Sequence, residues 1–308
     1  MMRDSFLFLP LPTPDEMSRW DAAANTLYGI PPVMLMENAA QASFAALAER
    51  ICLCSPRKVL VFAGKGNNGG DGLALARILH DAGHCVRVLL TAPPDELPSP
   101  AWEHAAMALA LGLSFHFPDA DGGLEDPDSS CEVSDKAEPL TDSADAFTSG
   151  VWEQVARTMA LGMISRFTDA DGNLIDLDSA GEISDEATPS TLAGYTPDIV
   201  IDALTGTGIK GQLRERELGL VRRINGFRGK AFIFSLDIPS GLCGLTGKPM
   251  PLAVRANATI CYEAGKPGLF MPEAREFTGE LLVRRVGIPL ALRKKIPASW
   301  RLLKPQKG

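Results

Sequence analysis

Four histidines and six cysteines are all that the 308 residues offer a soft metal, and no two of them stand in a paired ligand spacing. The absence of any CxxC argues against a structural zinc site. Cys52 and Cys54 stand two apart at the end of a helical run, where small apolar fillers are the expectation rather than ligands. No stretch approaches 18 consecutive apolar residues, which argues against a membrane-spanning helix. The apolar start, MMRDSFLFLPLP, is too short for a secretory core followed by a cleavage site. A soluble, cytoplasmic protein is the expectation. Positive charge is also short: 30 Lys and Arg stand against 38 Asp and Glu, a net charge of −8. That balance is a poor one for nucleic acid or an anionic membrane surface.

The deficit is local. Between Phe117 and Ser190 there are 18 acidic residues against 3 basic ones, a net of −15, so the rest of the chain sums to +7. A mildly basic body suits an anionic ligand. The acidic stretch is also repetitive: Trp102 to Pro139 and Trp152 to Pro189 align at an offset of 50 with 20 identities in 38 positions. This is a tandem duplication of a helix with an acidic tail, and two copies are too few for a solenoid. Each tail resembles a calcium loop out of register, with Asp119, Asp121 and Asp128 at the third, fifth and twelfth positions around Gly122. Phe117 occupies the first position, the twelfth lacks glutamate, and Phe167 repeats the first defect. A solvated acidic excursion at about residues 113–195 of one domain, 1–308, is the reading.

What remains alternates strands with helices. Thr13-Pro14-Asp15-Glu16 is a capping box with proline at the first helical position and opens a helix to about Thr26. A second helix, Val33 to about Glu49, is so densely apolar that packing on both sides is expected. Glu37 and Asn38 in its middle need partners or a role. Buried parallel strands are predicted at Lys58–Ala63, Val86–Leu90, Asp198–Asp202 and Ala231–Leu236, with shorter ones near Ala258–Tyr262 and Glu280–Val283. Helices are predicted from Leu73, near Trp102–Leu111 and over Leu213–Asn225. The polar loops fall at strand C-terminal ends, which predicts an α/β three-layer αβα sandwich on a Rossmann-like, mostly parallel sheet.

Chemistry concentrates in three of those loops. Gly64 to Gly72, GKGNNGGDG, packs five glycines into nine residues between a strand and a helix. Glycines there allow positive φ and let backbone N–H groups approach an anion at a helix N-terminus. GxGxxG occurs at 64–69 but is weak alone, and no GK[ST] follows for a P-loop. Asp202 ends one strand and leads into Gly206-Thr207-Gly208; Asp237 ends another and opens Asp237-Ile238-Pro239-Ser240-Gly241. Asn68, Asp202 and Ser240 supply hard oxygens with little charge, a set that suits a monovalent cation better than a magnesium cluster. A lone strand-end aspartate is as often a turn former as a ligand. Three such loops at successive strand ends make coincidence a weaker account.

Together these loops are similar to the NAD(P)H-hydrate epimerase family, the YjeF N-terminal domain. The matching stretches are Met36-Glu37-Asn38-Ala39-Ala40, GKGNNGGDG at 64–72, DALTGTG at 202–208, SLDIPSGL at 235–242, GKPGL at 265–269 and VGIP at 286–289, in the family's order. The resemblance implies a homodimeric enzyme that interconverts the R and S hydrates of NADH and NADPH, feeding a separate dehydratase that uses one epimer. It also implies a potassium ion on Asn68, Asp202 and Ser240. The hydrated nucleotide would be bound by Asn67, Asn68, Gly69, Gly70 and Asp71, by Gly206, Thr207, Gly208, Ile209, Lys210, Gly211 and Gln212, and by Asp237. Two departures stand out: Cys243 replaces an acidic residue common after SGL, and the acidic duplication replaces a short connection. A fused dehydratase would need far more chain than the 19 residues after Pro289, so epimerase alone is expected.

Inverting a hydroxyl-bearing carbon beside the ring nitrogen requires proton transfer at the hydroxyl oxygen. Asp237 is the catalytic candidate, its rival role being structural or ribose-binding. Lys210 and Lys266 could supply positive charge. An ordinary NAD-dependent dehydrogenase is disfavoured, because no acidic residue ends Val86–Leu90 to hold a ribose. A partner-binding module without chemistry is disfavoured by the completeness of the polar set.

Overall fold

The computed structural model describes residues 8–118, 195–208 and 211–303. The two acidic tails, the second copy of the repeated helix, and Ile209 and Lys210 lie outside the described residues. Seven parallel strands make the central sheet: β2 (Lys58–Ala63), β3 (Cys85–Leu90), β4 (Phe115–His116), β5 (Ile199–Ala203), β6 (Phe232–Leu236), β7 (Ala258–Tyr262) and β8 (Glu280–Arg284). Their order is β4-β3-β2-β5-β6-β7-β8. The chain winds one way from β2 and the other way from β5, so the loops leaving these neighbours diverge and open a crevice at the switch point.

Residues of successive parity on the strands feed two cores. Val59, Val61, Ala63, Ile199, Ile201 and Ala203 face α2 (Pro32–Ala48), α3 (Asn67–Asp81) and α4 (Ser99–Ala110). Leu60, Phe62, Val200 and Ile233 face α5 (Glu215–Gly226). Helices on both faces make the αβα sandwich, and they explain why the strands read as continuous apolar runs. On one flank α1 (Pro14–Tyr28) packs Met17, Trp20 and Ala24 against Leu35, Ile288 and Leu292, the last from α7 (Leu290–Lys295), which follows α6 (Arg275–Thr278). The capping box at Thr13 and Glu16 forms, and the Trp20 indole N–H donates to the Ile296 carbonyl (2.8 Å).

Several expectations need correction. α2 buries one stripe, Leu35, Met36, Ala39, Ala40, Ser43, Ala46 and Leu47, and leaves Met34, Gln41 and Ala45 exposed. Alanine's small side chain makes the helix read as apolar all round while only one face is packed. Glu37 finds Arg77 and Gln41, and Asn38 donates to the Val286 carbonyl (2.8 Å). Cys52 and Cys54 are exposed, not fillers, because the helix ends at Ala48, before reaching them. A two-stranded antiparallel ribbon of β1 (Phe8–Leu11) and β9 (Trp300–Leu303), together with the short β4 and α7, was not anticipated. Such short elements carry too few residues for a periodic pattern.

Candidate active site

The glycine-rich run is mostly helix. α3 begins at Asn67, six residues before the predicted start at Leu73. None of Gly64, Gly66, Gly69, Gly70 and Gly72 has a positive φ, so conformational freedom is not what they supply. All but Gly66 supply closeness. A Cβ on Gly64 would lie 1.8 Å from the Leu204 carbonyl oxygen, and one on Gly69 would lie 1.7 Å from the carbonyl oxygen of Gly64. On Gly72 it would meet Ala203 Cβ at 2.6 Å. α3 is thereby pressed onto β2 and β5, and its N-terminus, capped by Gly66 without any side-chain bond, opens at the crevice. Free N–H groups there favour an anion.

Beneath that helix end lies a closed polar knot. Asp202 is fully buried on β5 and accepts from the Ser235 hydroxyl (2.7 Å), the Ser240 N–H (2.9 Å) and the Ser240 hydroxyl. Burial pushes its carboxyl up, against the pull of those hydrogen bonds. The Thr205 N–H donates to Ser240 Oγ (2.9 Å), and the Asn68 amide donates to the Thr205 carbonyl (3.1 Å). Asn68 Oδ1 is buried with no hydrogen-bond partner. Asn68, Asp202 and Ser240 thus come together as the sequence predicts, with Thr205 as the link that sequence reasoning missed. Gly206 packs closely beside them, and a Cβ there would sit 3.1 Å from Asn68 Cβ.

β6 and β7 end in the same device. Asp237 (φ 61) and Glu263 (φ 59) are the two non-glycine residues at positive φ among the described residues. Each sits at the centre of a three-residue turn, closed by Ile238 N–H to Leu236 O and by Ala264 N–H to Tyr262 O (both 2.7 Å). Such turns are strained for a side-chain-bearing residue and concentrate at functional sites. The turn at Glu263 points inward, where its carboxylate accepts from Val286 N–H (3.1 Å) and Ile288 N–H (3.2 Å) and pairs with Arg293 (3.0 Å). That fixes the VGIP loop. The turn at Asp237 opens into the cleft, and its carboxylate pairs with Lys266, whose side chain is wholly buried. Burial alone would lower the lysine's pKa; attraction to Asp237 outweighs it and raises it.

These elements line one cleft of about 970 Å³. Asn67, Asn68, Asp71, Gly206, Thr207, Gly208, Gln212 and Asp237 reach its wall. Gly69, Gly70 and Gly211 do not; the first two are buried in helix packing and the last is an exposed turn. Asp202 and Ser240 lie below the floor. Desolvation pushes the Asp71 carboxyl well above its ordinary range, with the charges of Asp237 and Asp21 adding to it. Asp21, on α1, is a cleft residue that sequence reasoning missed. Enclosure among the cleft walls, then the Asp237 carboxylate, push it up to about 7, although the residue sits at the water-exposed mouth, where solvent screens part of that repulsion. Its one sequence signal is helical spacing, four residues after Met17, which lines the same cleft. Tyr262 closes the inner end, with its hydroxyl 2.9 Å from Ser43 Oγ. Cys243 is half-buried outside the cleft lining, so the departure from the family pattern does not touch it. Among the described residues no group of three or more His, Cys, Asp or Glu side chains could hold a metal ion.

The NAD(P)H-hydrate epimerase of Rhodopirellula baltica is 29% identical over 95% of this chain and 90% of its own length. The NAD(P)H-hydrate epimerase of Nitrosopumilus maritimus is 24% identical over 83% of this chain and 85% of its own. A bifunctional NAD(P)H-hydrate repair enzyme of Thermofilum pendens is 30% identical over 90% of this chain, which spans only 40% of that longer protein. The crystal structure of yeast ynu0 (YNL200c) shares the fold, with a TM-score of 0.58, 16% identity and 97% of each chain covered. Residues 32–134 and 150–268 match the family described as YjeF-related protein N-terminus, and the chain belongs to that family.

Proposed function

We propose that this protein interconverts the R and S epimers of hydrated NADH and NADPH, an isomerase of nicotinamide-cofactor repair. The observation that carries the reading is one cleft joining a helix N-terminus without a side-chain cap, suited to a pyrophosphate, with a strained aspartate held by a buried lysine. Near-complete coverage of two relatives named as epimerases supports it. The hydrated ring is uncharged and carries its hydroxyl on a carbon next to the ring nitrogen. Inversion needs that bond broken and remade, with a proton moved at the hydroxyl oxygen. Asp237 would hold or take that proton, and Lys266, paired with its carboxylate, would keep it in position. Asn67 and Asn68 would bind the phosphates with the α3 backbone; Gly69 and Gly70 would contribute through that helix end, and Gly206 to Gln212, Ile209, Lys210 and Gly211 included, would cover the nucleotide.

Asn68, Asp202 and Ser240 are also the residues that would hold a potassium ion. The fit rests on the buried, partnerless Asn68 Oδ1 beside a single buried carboxylate and a hydroxyl. When bound, the ion supplies positive charge that orders the loops under the phosphates. A homodimer is part of the same reading, covering the exposed Leu27, Tyr28 and Met34 where α1 runs into α2. So are a separate dehydratase that consumes one epimer and a cytoplasmic location, to which the lack of a membrane-crossing helix among the described residues is no obstacle.

The test is direct. A mixture of R and S hydrates is supplied with an S-specific dehydratase, with and without this protein. Rapid consumption of the whole pool is expected. Consumption of the R form at its spontaneous rate would overturn the proposal.

A further inference from the structure

Three carboxyls of the cleft act on one another, from its mouth inward. Asp21, Asp71 and Asp237 all line it, and Lys266 is the buried cation that faces them. Lys266 is already committed to Asp237. Glu263 lies behind the wall and is neutralised by Arg293. The Asp71 carboxyl has no hydrogen-bond or ion-pair partner among the described residues, and what faces it is the charge of Asp237, Asp21 and Lys266, together with the Tyr262 phenol. Three carboxylates around one committed lysine cannot all be ionised at modest cost in an enclosed site. Asp21 and Asp71 both lack such a partner; Asp21 meets water at the mouth, whereas Asp71 is half-buried towards Tyr262 and is the one that keeps its proton.

A carboxyl that keeps its proton and a second one paired with a buried lysine, in one cleft, form a donor and an acceptor. Resting on the epimerase reading, we infer that Asp71 is a second catalytic residue, the proton donor that works against Asp237 as acceptor. In one direction the Asp71 proton passes to the substrate hydroxyl, and the carbon–oxygen bond breaks with its electron pair on oxygen. Water leaves, and the positive charge is shared between the ring carbon and its nitrogen, opposite the Asp237 carboxylate. A water molecule then adds to the other face of that carbon, and its surplus proton goes to Asp237. One water is released and one is taken up, and no oxidant or reductant takes part. The reverse reaction uses Asp237 as donor and Asp71 as acceptor, and exchange with solvent resets the pair.

The arrangement dictates a pH signature. The rate falls on the alkaline side as Asp71 loses its proton. In Asp71→Asn, kcat should fall by at least about 10²-fold, the scale of a lost general acid, with KM changed by less than about tenfold and the alkaline fall abolished. Asp71→Glu, which keeps a carboxyl, should recover part of the rate and restore the alkaline fall. An Asp71→Asn protein with the parent's kcat overturns the assignment. So does one that is slow but keeps the alkaline fall, since another group would then be the donor. If Asp71→Asn does not fold, the Asp71→Glu profile decides alone, and an alkaline limb unmoved from the parent's overturns the inference. Failure of the epimerase reading is distinguishable, because the parent itself would leave the R/S ratio at its spontaneous drift.

Discussion

Asp237 and Lys266 depend on each other. The lysine is wholly buried and the aspartate nearly so, so either one alone is a charge without compensation. Asp237→Asn should keep the fold and hold the hydrated cofactor within roughly tenfold, while epimerisation falls at least ~10²-fold through loss of the proton acceptor. Lys266→Met should lower stability by about 3 kcal/mol in chemical denaturation, the cost of breaking a buried pair from one side. The double variant should regain most of that loss and remain inactive; additive losses would show that the pair is not coupled. Asp71 makes the opposite case. Its folded pKa lies above the ordinary value of 3.8, so its contribution to stability is complete below that value and is lost as pH rises toward the folded pKa. Asp71→Asn removes the ionisation, so its melting temperature should exceed the parent's by a margin that grows from about pH 4 upward and then levels off. A margin constant with pH would mean that Asp71 is not desolvated. The residues at strand ends were legible in the sequence because open α/β sheets bind ligands there. Asp21 was not, since a carboxylate on an amphipathic helix reads as solvated until the tertiary fold lays that helix along a cleft.

Strands were the legible elements. Ala258–Tyr262 matches its predicted bounds, and β2, β5 and β6 lie within a residue of theirs, because a strand buried on both faces ends where its apolar run ends. Helix starts were less legible where glycine masks them, and α3 is the case in point. A glycine-rich segment is a poor helix former by propensity, at about 1 kcal/mol per residue relative to alanine, and here close packing overrides that cost. Gly72→Ala separates the two effects. Propensity would favour alanine, but the new Cβ would lie 2.6 Å from Ala203 Cβ and 3.6 Å from Val61 Cγ1, inside the contact of α3 with the sheet. Overpacking of about 1–3 kcal/mol outweighs the helix gain, so a net loss near 1 kcal/mol or more is expected in denaturant titration. Gly226→Ala is the control: it ends α5 with nothing within 4 Å of the added atom, and should be neutral or slightly stabilising. If both variants gain stability, the glycines are not there for closeness.

At the scale of the whole molecule, a body that belongs to the YjeF-related family carries an acidic duplication that neither the fold nor the site explains. The family match runs to residue 134 and resumes at 150, so residues 135–149, within the repeated region, fall outside it. β4, beside β3 at the sheet edge, ends at His116, and β5, beside β2, starts at Ile199. Excision of residues 117–166 would join His116 to Phe167, which aligns with Phe117, and leave a single tail. Because doubling a loop adds only ~0.6 kcal/mol of closure entropy, shortening it should change stability little. Most of the epimerase activity should survive. Charge is where the excision should tell. Residues 117–166 hold 11 acidic and 3 basic side chains, a net of −8, so removing them takes the chain from −8 to zero. A protein at zero net charge loses the self-repulsion that keeps molecules apart, so the shortened form should associate and precipitate near neutral pH at concentrations where the parent stays clear, as light scattering would record. Returning four or five glutamates to exposed positions far from the cleft should restore solubility without restoring the repeat. A shortened protein that stays soluble but is inactive would instead make the duplication part of the catalytic domain.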